Sequence, residues 1–160
     1  MEVIIPNGFE TLMASDRDGI LGEMIHLLVR CGRLAPESEI ALVQALRRRE
    51  EFGSTAVTNH VAIPHVRHDG VGNKLICALG RSNKGIHYDT GVGNRTHLFF
   101  LVLSSKEMIE YHLECLATIT HLVRDEKLVL DMICEQSTRK LKNILAGLEG
   151  AAHVQRRSID

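Results

Sequence analysis

Nine histidines stand in a chain of 160 residues. Histidine is the side chain that changes charge near neutral pH and is the commonest metal ligand. Three segments place histidine beside other groups able to do chemistry. One is Val61-Ala62-Ile63-Pro64-His65. A second, Arg49-Glu50-Glu51-Phe52-Gly53-Ser54-Thr55, joins a guanidinium, carboxylates and hydroxyls. The third is His112-Leu113-Glu114-Cys115-Leu116. Taken alone, each has a plain structural reading. His65 can be an ordinary loop histidine and His112 a partly buried surface residue. Arg49 can be one more charge on a solvated helix face, as Arg47 and Arg48 are expected to be. A metal site built from His60, His65 and His68 is the sharper alternative. It is disfavoured because residues 60 and 65 of a strand point to opposite faces. Asp69 is the one acidic or cysteine ligand close by in sequence.

The elements that must position these groups can be read from periodicity and punctuation. Residues 9–13 are expected to form a short first strand. Ser15-Asp16-Arg17-Asp18 reads as a helix start with a capping serine. Ile20, Leu21, Met24, Ile25, Leu28 and Val29 follow at helical spacing, and Gly32 closes the helix. Pro36 suits the first turn of a second helix, with Ile40, Val43 and Leu46 as its apolar stripe. Gly53-Ser54-Thr55 breaks that helix. Val61–Pro64 reads as a short strand that its proline ends or confines to an edge. Leu75–Leu79 is a further strand, and Tyr88–Asn94 is turn-rich. Thr96–Leu103 has the unbroken apolar run of a central strand buried on both faces. Ser104 and Glu107 suggest a capping box for a third helix reaching about Arg124. On it, His112 shares a face with Leu116, Ile119 and Val123, so it is expected to look inward, and His121 outward. Helical stretches over 126–135 and 138–148 complete the series. Intermixed strands and helices predict a three-layer α/β/α domain over 1–150, with a mixed sheet of four to five strands. Residues 151–160 read as a polar, disordered tail.

Composition removes several function classes. Net charge is −1, and the aromatic content is only 4%, with no Trp. There is neither a basic face nor a set of stacking platforms for nucleic acid, so no nucleic-acid partner is expected. No stretch of about 18 apolar residues is present, so no membrane insertion is expected. No signal peptide is apparent. Cys31, Cys77, Cys115 and Cys134 form no CxxC pair, and each reads as a buried small hydrophobe. That usage fits a reducing, cytoplasmic setting.

The segments resemble one family in particular: the enzyme IIA domains of the fructose/mannitol class in the bacterial phosphoenolpyruvate-dependent phosphotransferase system, including its nitrogen-regulatory branch. The resemblance covers about residues 9–148. It rests on Arg49-Glu50, Ser54-Thr55, Val61-Ala62-Ile63-Pro64-His65 and His112-Leu113, in that order. Thr58, His60 and Val66 depart from the pattern, standing where family members usually carry Gly or another small residue.

The resemblance implies a phosphoryl carrier. An HPr-like phosphocarrier protein would donate to His65. The group would then pass to a IIB domain, or the phosphorylated and free forms would bind a regulatory target differently. A neutral imidazole suits the nucleophile, since its reference pKa of about 6.5 leaves much of it uncharged at pH 7. The transition state spreads charge over three oxygens, so catalysis is mostly positioning and charge stabilisation. Arg49 would then hold phosphoryl oxygens bidentately. His112 would donate to the phosphoryl group or fix the attacking ring. Ser54 or Thr55 would add a hydroxyl, or else cap the turn. Neither metal nor cofactor is called for. A nitrogen-type regulator is favoured over a sugar-transport subunit, and a non-phosphorylated interaction module of the same fold is the alternative class.

Overall fold

The computed structural model describes residues 1–89 and 94–157, with side chains described to residue 147. Among the described residues, four strands form one sheet: β1 (Val61–Ala62), β2 (His65–Arg67), β3 (Leu75–Ile86) and β4 (Thr96–Ser104). β4 is central and almost wholly buried along its length. That requires helices over both faces and gives the expected three-layer α/β/α arrangement. The sheet is mixed. β1 and β2 run parallel to β4 on one side, and β3 runs antiparallel to it on the other.

β1 and β2 are one edge in two pieces. Val61 pairs with Leu98 and His65 with Val102, so the register carries straight across Ile63 and Pro64. Pro64 has no N–H to offer, but its carbonyl still accepts from Val102 N at 2.9 Å. Ile63 N turns outward instead and donates to Thr55 O at 2.9 Å. The proline therefore sits on the sheet's edge, where a missing donor costs nothing, and the edge is blunted by the segment around Thr55.

Among the described residues, five α-helices accompany the sheet: α1 (Arg17–Arg30), α2 (Glu39–Glu51), α3 (Ile109–Leu122), α4 (Glu126–Cys134) and α5 (Thr138–Arg157). α2 packs against α1 and β2, and α3 packs against β4 and β3. The site is thus approached by two helices from separate parts of the chain. Gly32, at φ 75°, ends α1 in the left-handed conformation that glycine adopts without strain.

Several local expectations are corrected. Residues 9–11 form a 3-10 turn instead of a strand, with Leu12 N bonded to Arg81 O at 2.8 Å. Asp16, not Ser15, caps α1, accepting from Gly19 N at 2.7 Å. Replacing Asp16 by alanine should cost about 1 kcal/mol in urea unfolding, and Ser15→Ala should leave the midpoint in place. The face of α2 is turned from the expected one. Ile40 is 73% exposed, while Leu42, Ala45 and Leu46 are buried. β3 extends to Ile86, past the expected Leu79. Cys77 and Cys115 are buried, but Cys31 and Cys134 are exposed. Of the turn expected at Tyr88–Asn94, residues 90–93 lie outside the described residues. The helix expected over 138–148 runs on as α5 to Arg157, and the side chains from residue 148 lie outside the described residues.

Candidate functional site

His65 is the first residue of β2 and is half-buried. Its Nδ1 lies 2.7 Å from Ile63 O. A carbonyl can only accept, so Nδ1 carries the proton and Nε2 keeps its lone pair. The bare Nε2 accepts from Arg49 Nε at 3.3 Å. Arg49 comes from the last turn of α2 and is braced by Nη1 donating to Gly53 O at 3.0 Å. Burial, and then the Arg49 charge, hold the His65 pKa below its ordinary value, against a raising effect of the Ile63 carbonyl. The imidazole is therefore neutral near pH 7, with one nitrogen open.

His112 closes the other side. Its ring centre is 5.8 Å from that of His65, with the planes tilted by 60°. It is 3% exposed on the inner face of α3, as its spacing from Ile119 predicts, and His121 is exposed. Burial first, then the His65 and Arg67 charges, lower its pKa to about 4. Its Nδ1 is 2.8 Å from Ser104 Oγ. Ser104 is the last residue of β4, and α3 begins only at Ile109 with Met108 at its cap, so the expected Ser104 capping box does not form.

Behind Arg49 lies a buried carboxylate. Glu50 is 4% exposed and accepts from Thr55 N at 3.1 Å, from Thr55 Oγ1 and from Tyr88 Oη at 2.7 Å. Thr55 Oγ1 and Tyr88 Oη are themselves 3.1 Å apart. The cluster staples the end of α2 to the segment leading into β1. Burial, and then the Glu50 charge, push the Tyr88 phenol far above its ordinary pKa, so it remains a donor. Tyr88→Phe removes one donor from a buried carboxylate and should cost about 1–3 kcal/mol in urea unfolding.

The hydroxyl alternatives separate here. Thr55 faces Glu50 inside the fold. Ser54 is exposed, and its Oγ accepts from Ala56 N at 3.1 Å, closing the turn. The three histidines weighed as metal ligands go to different places. His60 lies beside His97, with ring centres 5.9 Å apart and planes tilted by 54°. His65 meets Arg49 and His112. His68 accepts from Gly70 N at 2.9 Å, capping a short 3-10 turn. Among the described residues, no three His, Cys, Asp or Glu side chains converge as metal ligands. Thr58 is exposed and Val66 half-buried. Sequence reasoning does not find Tyr88, which looks like one residue of a Gly-rich turn, nor the pairing of Ser104 with His112. Neither carries a local signal, because each acts on a residue remote in sequence.

The α/β domain thus holds one unprotonated imidazole nitrogen against a guanidinium and a second imidazole. The chain belongs to the family "Phosphoenolpyruvate-dependent sugar phosphotransferase system, EIIA 2", whose sequence profile matches residues 8–147. It is 28% identical over 120 residues to a nitrogen regulatory protein of Bradyrhizobium diazoefficiens, covering 75% of this chain and 78% of that one. It is 27% identical over 132 residues to the fructose-specific EIIABC component of Bacillus subtilis, covering 82% of this chain but only 20% of that much longer protein. The fold superposes on nitrogen regulatory protein IIA-Ntr from Neisseria meningitidis with a TM-score of 0.74 and 25% identity, covering 85% and 90% of the two chains. Among the described residues, no helix is long and apolar enough to cross a membrane.

Proposed function

We propose that the protein is a phosphoryl carrier, accepting a phosphoryl group on Nε2 of His65 and surrendering it to a partner. The observation that carries this reading is the His65 ring itself. Nδ1–H is tied to Ile63 O at 2.7 Å, and the remaining lone pair lies 3.3 Å from Arg49 Nε. The guanidinium that rests on the nucleophile is well placed to turn onto the oxygens of an incoming phosphoryl group. Attack by Nε2 breaks the donor's P–N bond, and the donor imidazole keeps that electron pair. His112 is positioned to donate to the charge that spreads over the oxygens.

The donor in this reading is an HPr-like phosphocarrier. Exposed apolar side chains flank the site residues in sequence. Phe52, just past Arg49, is 90% exposed, and Ile109 and Leu113 lie to either side of His112 on α3. Such side chains suit a transient protein partner. A nitrogen-type regulatory role is favoured, because the match to the nitrogen regulatory protein covers most of both chains. A IIA subunit serving a IIB domain is the second reading. It is favoured by the similarity to the fructose-specific protein and by the fold shared with mannitol IIA in its complex with phosphorylated IIB from Escherichia coli, at a TM-score of 0.72 and 17% identity.

The test is incubation with phosphoenolpyruvate, enzyme I and HPr of either branch, followed by intact mass. Gain of one phosphoryl group supports the carrier reading, and no gain with either HPr supports a pure interaction module. The pH dependence is also defined. Because the His65 pKa is lowered, the ring stays neutral to below the usual pH of about 6.5. Titration followed by the ring proton resonances of His65 should therefore show a midpoint under that value.

A further inference from the structure

Ser104 holds an unusual place: fully buried at the end of the central strand, with a hydroxyl that reaches two partners. Oγ is 2.8 Å from His112 Nδ1 and 3.2 Å from Ser105 O. A hydroxyl has one proton, and the Ser105 carbonyl can only accept. Both contacts are satisfied together in one arrangement, with Nδ1–H donating to Oγ and Oγ–H donating to Ser105 O. The neutral His112 ring then carries its proton on Nδ1. Nε2 is left with a lone pair on the far side of the ring, the side that can face His65.

A lone pair there is compatible with the unphosphorylated protein but would repel an anionic phosphoryl group. We propose that Ser104 is a positioning residue for phosphoryl transfer: it clamps His112 by Nδ1, and by reversing its hydroxyl it lets the ring proton reside on Nε2 when the phosphoryl group is present. In the reversed state Oγ–H donates to Nδ1 and Nε2–H donates to a phosphoryl oxygen. No net proton is gained: water supplies one to Nε2, and the proton that leaves Nδ1 returns to water. The Ser105 carbonyl released by the rotation is not stranded, because it also accepts from Met108 N at 3.3 Å. A hydroxyl is suited to this task because it can both accept and donate, whereas a carboxylate or an amide N–H would fix one tautomer.

The inference rests on the carrier reading for the phosphorylated half and on the free protein for the other half, and the experiment separates them. The full chain is labelled with 15N, and the His112 ring nitrogens are read by long-range 1H–15N correlation. Spectra are taken free and after treatment with phosphoramidate, a small-molecule phosphoryl donor that needs no protein partner. In the wild type, the protonated nitrogen should be Nδ1 in the free form and Nε2 in the phosphorylated form. Ser104→Ala removes one oxygen from a strand position where alanine fits. It should show protonated Nε2 in both forms and, because the ring is no longer clamped at Nδ1, take up the phosphoryl group about tenfold more slowly, with backbone spectra confirming the fold. Ser104→Thr keeps the hydroxyl and should restore both the tautomer exchange and the rate. A wild-type ring protonated on the same nitrogen in both forms overturns the proposal, as does a Ser104→Ala variant with the wild-type pattern and rate. If no donor phosphorylates the wild type, the carrier reading fails. Even then the free-state comparison of wild type and Ser104→Ala still decides whether Ser104 sets the tautomer.

Discussion

His65→Ala should take up no phosphoryl group at all from enzyme I, HPr and phosphoenolpyruvate, while remaining folded. The loss is expected to be complete because, in the proposed role, a single nitrogen is the acceptor. His112 cannot substitute for it. That ring is 3% exposed, and its Nδ1 is held by Ser104 at the end of β4. His60 and His68 are spent on other contacts, at Arg95 O and Gly70 N. The fold should survive because His65 is only half-buried, and its strand position is held by Pro64 O and the pairing with Val102, which a side-chain change does not touch. Intact mass and circular dichroism check the two halves of the expectation. A phosphoryl group retained in His65→Ala and mapped to His112 would reverse the two roles.

The second large effect belongs to Arg49. Arg49→Ala should slow phosphoryl uptake about 100-fold, the size seen when one preorganised donor to a developing oxyanion is removed. Arg49→Lys should recover part of this, since it restores the charge but not the planar pair of N–H groups that fits two oxygens at once. The neighbouring Arg48 is exposed, and its alanine variant should transfer at the wild-type rate. The pH profile gives an independent sign. Arg49 helps to lower the His65 pKa, so its removal makes the ring easier to protonate. The deficit of Arg49→Ala should therefore be larger at pH 6 than at pH 8. Quenched-flow transfer from phospho-HPr at the two values measures it. A deficit that does not change with pH would mean that the guanidinium acts only on the substrate and not on the nucleophile.

The roles of His65 and Arg49 are expected from the family resemblance, while the elements that carry them are legible in the amino-acid sequence for physical reasons. An unbroken apolar run such as Thr96–Leu103 has nowhere to go but a sheet covered on both sides. Helical periodicity places His112 on the same face as Ile119. A proline at 64 marks either the end of a strand or a sheet edge; that the strand resumes at His65, in register with Val102, is decided by the fold. Local signals mislead where two of them compete. Asp16 outdoes Ser15 as a cap, and Ser104 stays in its strand because β4 pairing with Leu75 holds it there, leaving α3 to begin later. The phase of α2 departs from the expected one: the helix packs on α1 and β2 with Leu42 and Ala45 buried and Ile40 left exposed.

The inventory is written along the chain: an imidazole, a guanidinium, a second histidine, and the α/β framework that could carry them. Periodicity and local chemistry are short-range, and these features are encoded within a few residues of where they act. How the groups meet is a property of the folded chain. Folding puts the proton of His65 on Nδ1 by aiming it at Ile63 O, lays Arg49 across Nε2, buries Glu50 between Thr55 and Tyr88, and sets Ser104 behind His112. Each of these contacts joins side-chain atoms with a direction, and direction is fixed only once the sheet register and the helix packing have placed the backbones that carry them.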